Sequence, residues 1–171
     1  WNVFMTGLKN NAGANKYAFA GPGWTDETFN PNMSLAPVIA EGMFFQNKVV
    51  NYKQILERNG ITIDFSKTQN CPRLFYFSYI TDFPPINLTS VNTPLTYSFG
   101  YLQGENITLP LILNDDGSAQ FDNTFYNSVG LTNLTVTGVI GKNGFNVSSC
   151  INLTVDSLMS IINALKDFRE Y

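Results

Sequence analysis

Histidine is absent from this 171-residue chain. That removes the commonest general base, the Ser-His-Asp and Cys-His nucleophile arrangements, and imidazole ligation of metals. Cysteine is scarce. Cys71 and Cys150 are the only two, which is too few for a four-thiolate zinc site, and no C-x-x-C occurs. Charge is sparse as well: 10 basic against 13 acidic residues, net −3, without the basic stripe that a nucleic acid would require. No apolar run approaches the roughly 18 residues that span a bilayer, so no membrane insertion is expected. The chain opens on Trp1 and reads as a processed chain or an excerpt.

Asn, Thr and Ser are plentiful, and 14 Phe and 8 Tyr supply a heavy aromatic load. Polar uncharged turns between aromatic anchors suit extracellular β-rich and repeat domains. The length allows one domain with a sizeable core, or one domain plus a cap. Residues 1–47 are the least regular. Gly, Pro, Asn and Asp crowd residues 20–34, while Trp1, Phe4, Trp24, Phe29, Phe44 and Phe45 provide apolar surface for packing. This segment is expected to be an N-terminal extension or cap ahead of a repeat domain at 48–171.

Val49, Val50, Tyr52, Ile55 and Leu56 recur at helical spacing, predicting a cap helix over 46–58 that stops at Asn59-Gly60. Residues 61–65 alternate apolar and polar, as a strand does. Residues 61–155 then carry a repeat. Phe65-x5-Cys71-x2-Leu74-x-Tyr76 matches Phe125-x5-Leu131-x2-Leu134-x-Val136 at every offset. Phe145-x4-Cys150-x2-Leu153-x-Val155 has a shorter turn, and Phe99-x9-Leu109-x-Leu111 a longer one. The offsets predict a coil whose L-x-V pieces stack as short parallel strands, 134–136 beside 153–155, with a Phe filling each layer. The longest step, from Phe65 to Phe99, has room for an extra strand or loop within 79–90. Cys71 and Cys150 then fall on different turns, too far apart for a disulfide, and are expected to be buried free thiols.

Residues 156–170 form the clearest helix, with Leu158, Ile161, Ile162, Leu165 and Phe168 on one stripe and Asp156 or Ser157 as N-cap. Placed after the last strand, it suits a lid over the open edge of the stack. The expected fold is therefore a repeat solenoid, a short α/β stack with a parallel sheet, an N-terminal cap and a C-terminal amphipathic helix.

The segments F65-S-K-T-Q-N-C-P-R-L, I80-T-D-F-P-P-I-N-L, T124-F-Y-N-S-V-G-L-T-N-L and G144-F-N-V-S-S-C-I-N-L resemble the BspA-like leucine-rich-repeat proteins. That pattern is a Phe, a short turn, a Cys or small apolar residue, then Leu. The resemblance covers roughly residues 61–165; Leu131 and Asn106 stand where the pattern often has Cys. The closing helix is similar to one that follows such repeats in proteins of gut bacteria and their phages. The resemblance implies a leucine-rich, surface-exposed, non-enzymatic adhesion protein and supplies no catalytic residue.

Asn114-Asp115-Asp116-Gly117-Ser118 could lend oxygens to Ca2+, but it lacks the EF-hand spacing and equally suits a tight turn. Asp64, Asp82, Asp115, Asp116 and Asp122 are available to a carbohydrate-active enzyme or its accessory domain, in no recognisable pair. Sequons stand at Asn32, Asn87, Asn106, Asn133, Asn146 and Asn152, and the repeat itself generates several of them. Neither a cofactor nor a metal site is expected. Tyr76, Tyr79, Tyr97, Tyr101 and Tyr126 are the candidate binding surface, since a tyrosine contributes area and a hydrogen bond together. The expected function is a non-catalytic adhesion module that binds a protein or glycan on a host or cell surface. A structural or receptor-binding domain of a phage virion is the alternative.

Overall fold

The computed structural model describes residues 16–21, 33–51, 56–57, 60–114, 121, 123–141 and 145–165. It is a β-solenoid of about four turns with one short C-terminal helix. Strands β1 (Met33–Leu35) and β2 (Ile61–Ile63) pair in parallel. Strands β3 (Ile86–Asn87), β4 (Ile107–Asn114) and β5 (Leu131–Val139) form a second parallel sheet in that order. Helix α1 spans Val155–Ala164. In β4 the alternation faces Ile107, Leu109, Leu111 and Leu113 inward. Leu109 lies beside Leu134 and Leu111 beside Val136, the register that the L-x-L and L-x-V offsets predict.

The most regular part of each turn is a corner. Residues 17–21, 42–46, 73–77, 97–101 and 123–127 form five stacked rungs with one design. Phe19, Phe44, Phe75, Phe99 and Phe125 occupy the third position, all buried. The first and fifth positions have positive φ in every rung: Tyr17 and Gly21, Gly42 and Gln46, Arg73 and Phe77, Tyr97 and Tyr101, Asn123 and Asn127. That geometry aims alternate N–H groups at the next rung. Gly42, Phe44 and Gln46 donate to the carbonyls of Pro72, Leu74 and Tyr76, and Arg73, Phe75 and Phe77 to those of Thr96, Ser98 and Gly100. The second-position N–H closes a turn, as from Ser98 to Leu95 and Thr124 to Phe121, with the left-handed residue third, the type II pattern, and the fourth-position N–H bonds back to the first residue of the rung, as from Gly100 to Tyr97.

Registered in this way, the third-position rings stack. Neighbouring centroids from Phe19 through Phe44, Phe75 and Phe99 to Phe125 are 5.2, 5.0, 5.5 and 5.8 Å apart, and Phe145 continues the column at 5.3 Å. Each ring contributes about 1.5–3 kcal/mol by burial, and each ring pair about 0.5–1.5 kcal/mol more. Buried hydroxyls tie the layer behind them: Ser98 donates to the Cys71 carbonyl at 2.7 Å and Thr124 to that of Leu95 at 3.2 Å.

Several expectations change. Phe65 is no column member; it meets Phe75 edge-on at 6.4 Å, and Phe75 holds the equivalent place. Leu74 and Tyr76 belong to a corner, so their match to Leu134 and Val136 in β5 does not hold. Residues 153–155 are not a strand beside 134–136, because Thr154 N-caps α1 and Val155 begins it. Residues 46–51 are not helical; Gln46 closes a corner, helical backbone occurs at 56–57, and 52–55 and 58–59 lie outside the described residues. Residues 16–21 and 33–47, within the expected cap, add two rungs of the common design. The extra element expected within 79–90 is β3.

Helix α1 does cover the edge of the sheet, but with a different face. Ser157, Ile161 and Ala164 are buried, whereas Leu158, Ile162 and Leu165 remain 43, 57 and 50% exposed; Phe168 lies outside the described residues. Polar demand sets this rotation. The outer side of β5 presents unpaired N–H and C=O groups. Ser157 Oγ accepts from the Leu134 N–H at 2.9 Å and donates to the Thr132 carbonyl at 3.3 Å. Ser160 Oγ accepts from Val136 at 3.1 Å and donates to Leu134 at 3.0 Å.

Replacing Phe99 with Ala should cost about 3–5 kcal/mol in chemical unfolding; a loss within experimental error would show that the ring column is not the core. Converting Ser157 and Ser160 together to Ala should strip two strand N–H groups of partners at about 1–3 kcal/mol each. Amide hydrogen exchange at Leu134 and Val136 would report the loss directly.

Candidate functional site

The corner that buries the phenylalanines turns other aromatic rings outward. Tyr76, Tyr97, Tyr101 and Tyr126, from three adjacent rungs, close into a ring of rings. Tyr76 lies 5.4 Å from Tyr97, Tyr97 5.9 Å from Tyr126, Tyr126 5.4 Å from Tyr101, and Tyr101 5.6 Å from Tyr76. Interplanar angles alternate between tilted (54° and 55°) and edge-to-face (84° and 85°), the geometries that ring quadrupoles favour. Phe45 stacks on Tyr76 at 5.8 Å and Phe77 on Tyr101 at 4.7 Å, extending the surface.

Glycine makes room for this arrangement. Gly100 holds the rung position that Phe45, Tyr76 and Tyr126 hold elsewhere. A Cβ there would lie 3.3 Å from ring carbons of both Tyr76 and Tyr97. The rings therefore close over Gly100 and leave no hole at the centre of this aromatic platform. Its border is planar and polar. Arg73 and Asn123 flank Tyr97 in the first-position row, and Gln46 and Asn127 end the row containing Phe77 and Tyr101. Arg73, Gln46, Asn123 and Asn127 are all exposed.

Of the five tyrosines singled out in the sequence, four meet in this cluster. Tyr79 stands apart, exposed beside Gln103 of the next rung, and has no ring contact with the others among the described residues. Phe45, Phe77 and Gly100 were missed. The signal for them was the five-residue period with Phe at its centre, in place of the longer Phe-to-Leu offsets. Two tyrosines of the cluster, Tyr97 and Tyr101, are held in the left-handed region at φ 55° and 50°, where a non-glycine residue costs about 1–2 kcal/mol.

Asn127 joins the platform to an open groove of about 720 Å³ that also takes in Gln103, Glu105, Asn106, Thr132 and Asn152. Asn152 donates from Nδ2 to the Val129 carbonyl at 2.8 Å. The other sequon asparagines do not line up as one row. Asn87 and Asn146 accept from the N–H two residues on, at 3.1 and 2.9 Å, while Asn133 extends toward Thr108 at 3.5 Å. Asp64 likewise accepts from Ser66, side chain and backbone, which holds its carboxyl below the usual range. Asp115, Asp116, Asp122 and the turn at 115–118 lie outside the described residues, as does Asn32.

Cys71 and Cys150 are free and buried, and desolvation pushes both thiols up to about 12. Cys71 sits behind the corner, one rung from Leu95, and Cys150 Sγ faces the Phe125 carbonyl at 3.7 Å.

No family model, curated protein or solved structure matches this chain. Among the described residues, no helix is long and apolar enough to cross a membrane.

Two solution tests follow. A thiol-specific reagent at neutral pH should label neither cysteine in the folded chain and both after denaturation, since only a thiolate attacks. Partial burial, the neighbouring Tyr126 and Tyr76 rings and a hydrogen bond to Tyr126 raise the pKa of Tyr101. A raised folded pKa means that stabilisation is full below the unfolded tyrosine value of about 10 and is lost as pH rises through the folded one. Melting temperature should fall in that alkaline range, and less steeply for Tyr101→Phe. Parallel curves for the two chains would show that the hydroxyl is not in such a cluster.

Proposed function

We propose that this chain is a non-catalytic, extracellular interaction module that docks to a protein or glycan on a host or cell surface through its tyrosine corner. The observation that carries this is the gathering of four tyrosines from three rungs onto one outward face, two of them at backbone positions where Asn would cost less. A core needs buried rings, and the phenylalanine column provides them; the tyrosines are additional. Outward rings with a polar tip are the side chains that dominate binding energy at interfaces. A rigid stacked scaffold also holds them in place without ordering cost at the moment of binding.

Membership of the BspA-like leucine-rich-repeat proteins is part of the same proposal. The recurrent Phe, turn and Leu segments of 61–155 support it. The column residue in every described rung is Phe rather than Leu, which makes the leucine-rich label the weaker half. Adhesion at a cell surface is the setting that the aromatic, charge-poor composition suits.

The chain's own sequence supplies the test variant. Asn123 and Asn127 occupy in one rung the positions of Tyr97 and Tyr101 in the preceding one. The double replacement Tyr97→Asn, Tyr101→Asn should keep the fold while removing two rings. Attachment of intact cells to the immobilised chain should drop at least roughly thirtyfold, the equivalent of one interface residue worth about 2 kcal/mol. Attachment equal to that of the parent would mean that the tyrosine corner is not the interface.

A further inference from the structure

We infer that the ligand of the tyrosine corner is a neutral glycan chain, lying across the aromatic platform and running on into the adjoining groove; the inference rests on the corner being the interface. Three observations favour this chemistry. The first is shape. The four rings close over Gly100, where even a Cβ would come within 3.3 Å of two of them. The surface offers half-exposed aromatic rings and no central hollow. An organic cation held in an aromatic cage would need that hollow. A pyranose instead presents a flat C–H face that covers an aromatic ring from outside.

The second observation is the border. Sugar hydroxyls leave the ring at its edges and need partners that both donate and accept. The platform is edged by the amides of Gln46, Asn123 and Asn127 and the guanidinium of Arg73. These are planar groups with fixed donor geometry. The third observation is continuity. Asn127 belongs both to the left-handed row of the platform and to the groove. Gln103, Asn106, Thr132 and Asn152 line that groove with amides and a hydroxyl beside Leu102 and Val129, and among the described residues Glu105 is its one charged group. The groove residues 102–106 and 129–132 directly follow the corners 97–101 and 123–127, so platform and groove adjoin around the same turns and one extended ligand can cover both.

Calorimetric titration with cello-, malto-, manno- and chito-oligosaccharides of increasing length tests the inference, with tetramethylammonium and polygalacturonate as cationic and anionic comparisons. At least one neutral series should bind with a roughly millimolar Kd that tightens as the chain lengthens into the groove. Tyr97→Asn, Tyr101→Asn should weaken it at least roughly tenfold, and Asn127→Ala should flatten the gain with length. Far-ultraviolet circular dichroism verifies that each variant is folded. Binding of tetramethylammonium or polygalacturonate in place of every neutral series would overturn the inference. So would silence toward all neutral series while the tyrosine variant still abolishes attachment to a protein-coated surface, a result that leaves the corner as an interface but makes its partner a protein. Unchanged cell attachment by the tyrosine variant would overturn both.

Discussion

Everything in this molecule hangs on registering one corner over the next. The third-position phenylalanines stack only if consecutive rungs keep the same phase. The rungs keep phase because the N–H groups of the first, third and fifth positions all point along the stack. That demand forces left-handed backbone at both ends of the corner. From this one constraint follow the buried column, the outward rows and their spacing. The column steps from Phe19 to Phe44, Phe75, Phe99 and Phe125 are unequal, and the longest, before Phe75, contains β2 and the segment around it. Length varies away from the corner and never within it. A solenoid tolerates this because each turn contacts only its neighbours.

The corner also explains why the surface is aromatic where it is. A residue at a left-handed position has its side chain swung clear of the core, so it meets the same position one rung away. Phe77 and Tyr101 stack face to face at 11° and 4.7 Å in this manner. Asparagine at the same places, as in the rung 123–127, relieves the backbone and forfeits the ring. Among the described rungs only 123–127 has Asn at both places; Tyr17, Gln46, Arg73, Phe77, Tyr97 and Tyr101 spread the costlier residues over the other four.

Much of the architecture could be read in the residues. The parallel stack, the β4–β5 register, the unpaired buried thiols and the covering helix all follow from short offsets in the sequence. That Tyr76, Tyr97, Tyr101 and Tyr126 lie near one another follows only from the corner, which those offsets did not reveal. What escaped was the phase. Phe65 and Phe75 are both buried phenylalanines ahead of a Leu or Tyr, and only the hydrogen bonds of Phe75 to the next rung distinguish them. The left-handed positions are hidden for a related reason. Propensity expects Gly or Asn there, yet Tyr17, Gln46, Arg73, Phe77, Tyr97 and Tyr101 fill six of them. The face of α1 was misjudged because hydrophobic periodicity ignores polar need: two serines facing an open strand edge outweighed an apolar stripe.

Those two serines have a wider consequence. A parallel stack is a template that copies its own edge, and any identical rung could in principle add to it, as monomers add to a growing polymer. A hydroxyl both gives and takes a hydrogen bond, so Ser157 and Ser160 occupy the N–H groups of Leu134 and Val136 and the carbonyls of Thr132 and Leu134 without offering new strand-like ones. They act as a chain terminator does in polymerisation. Two oxygen atoms thereby close this edge at Leu134 and Val136, and beyond them Ile140 pairs with the backbone at Ala164 and Leu165 instead.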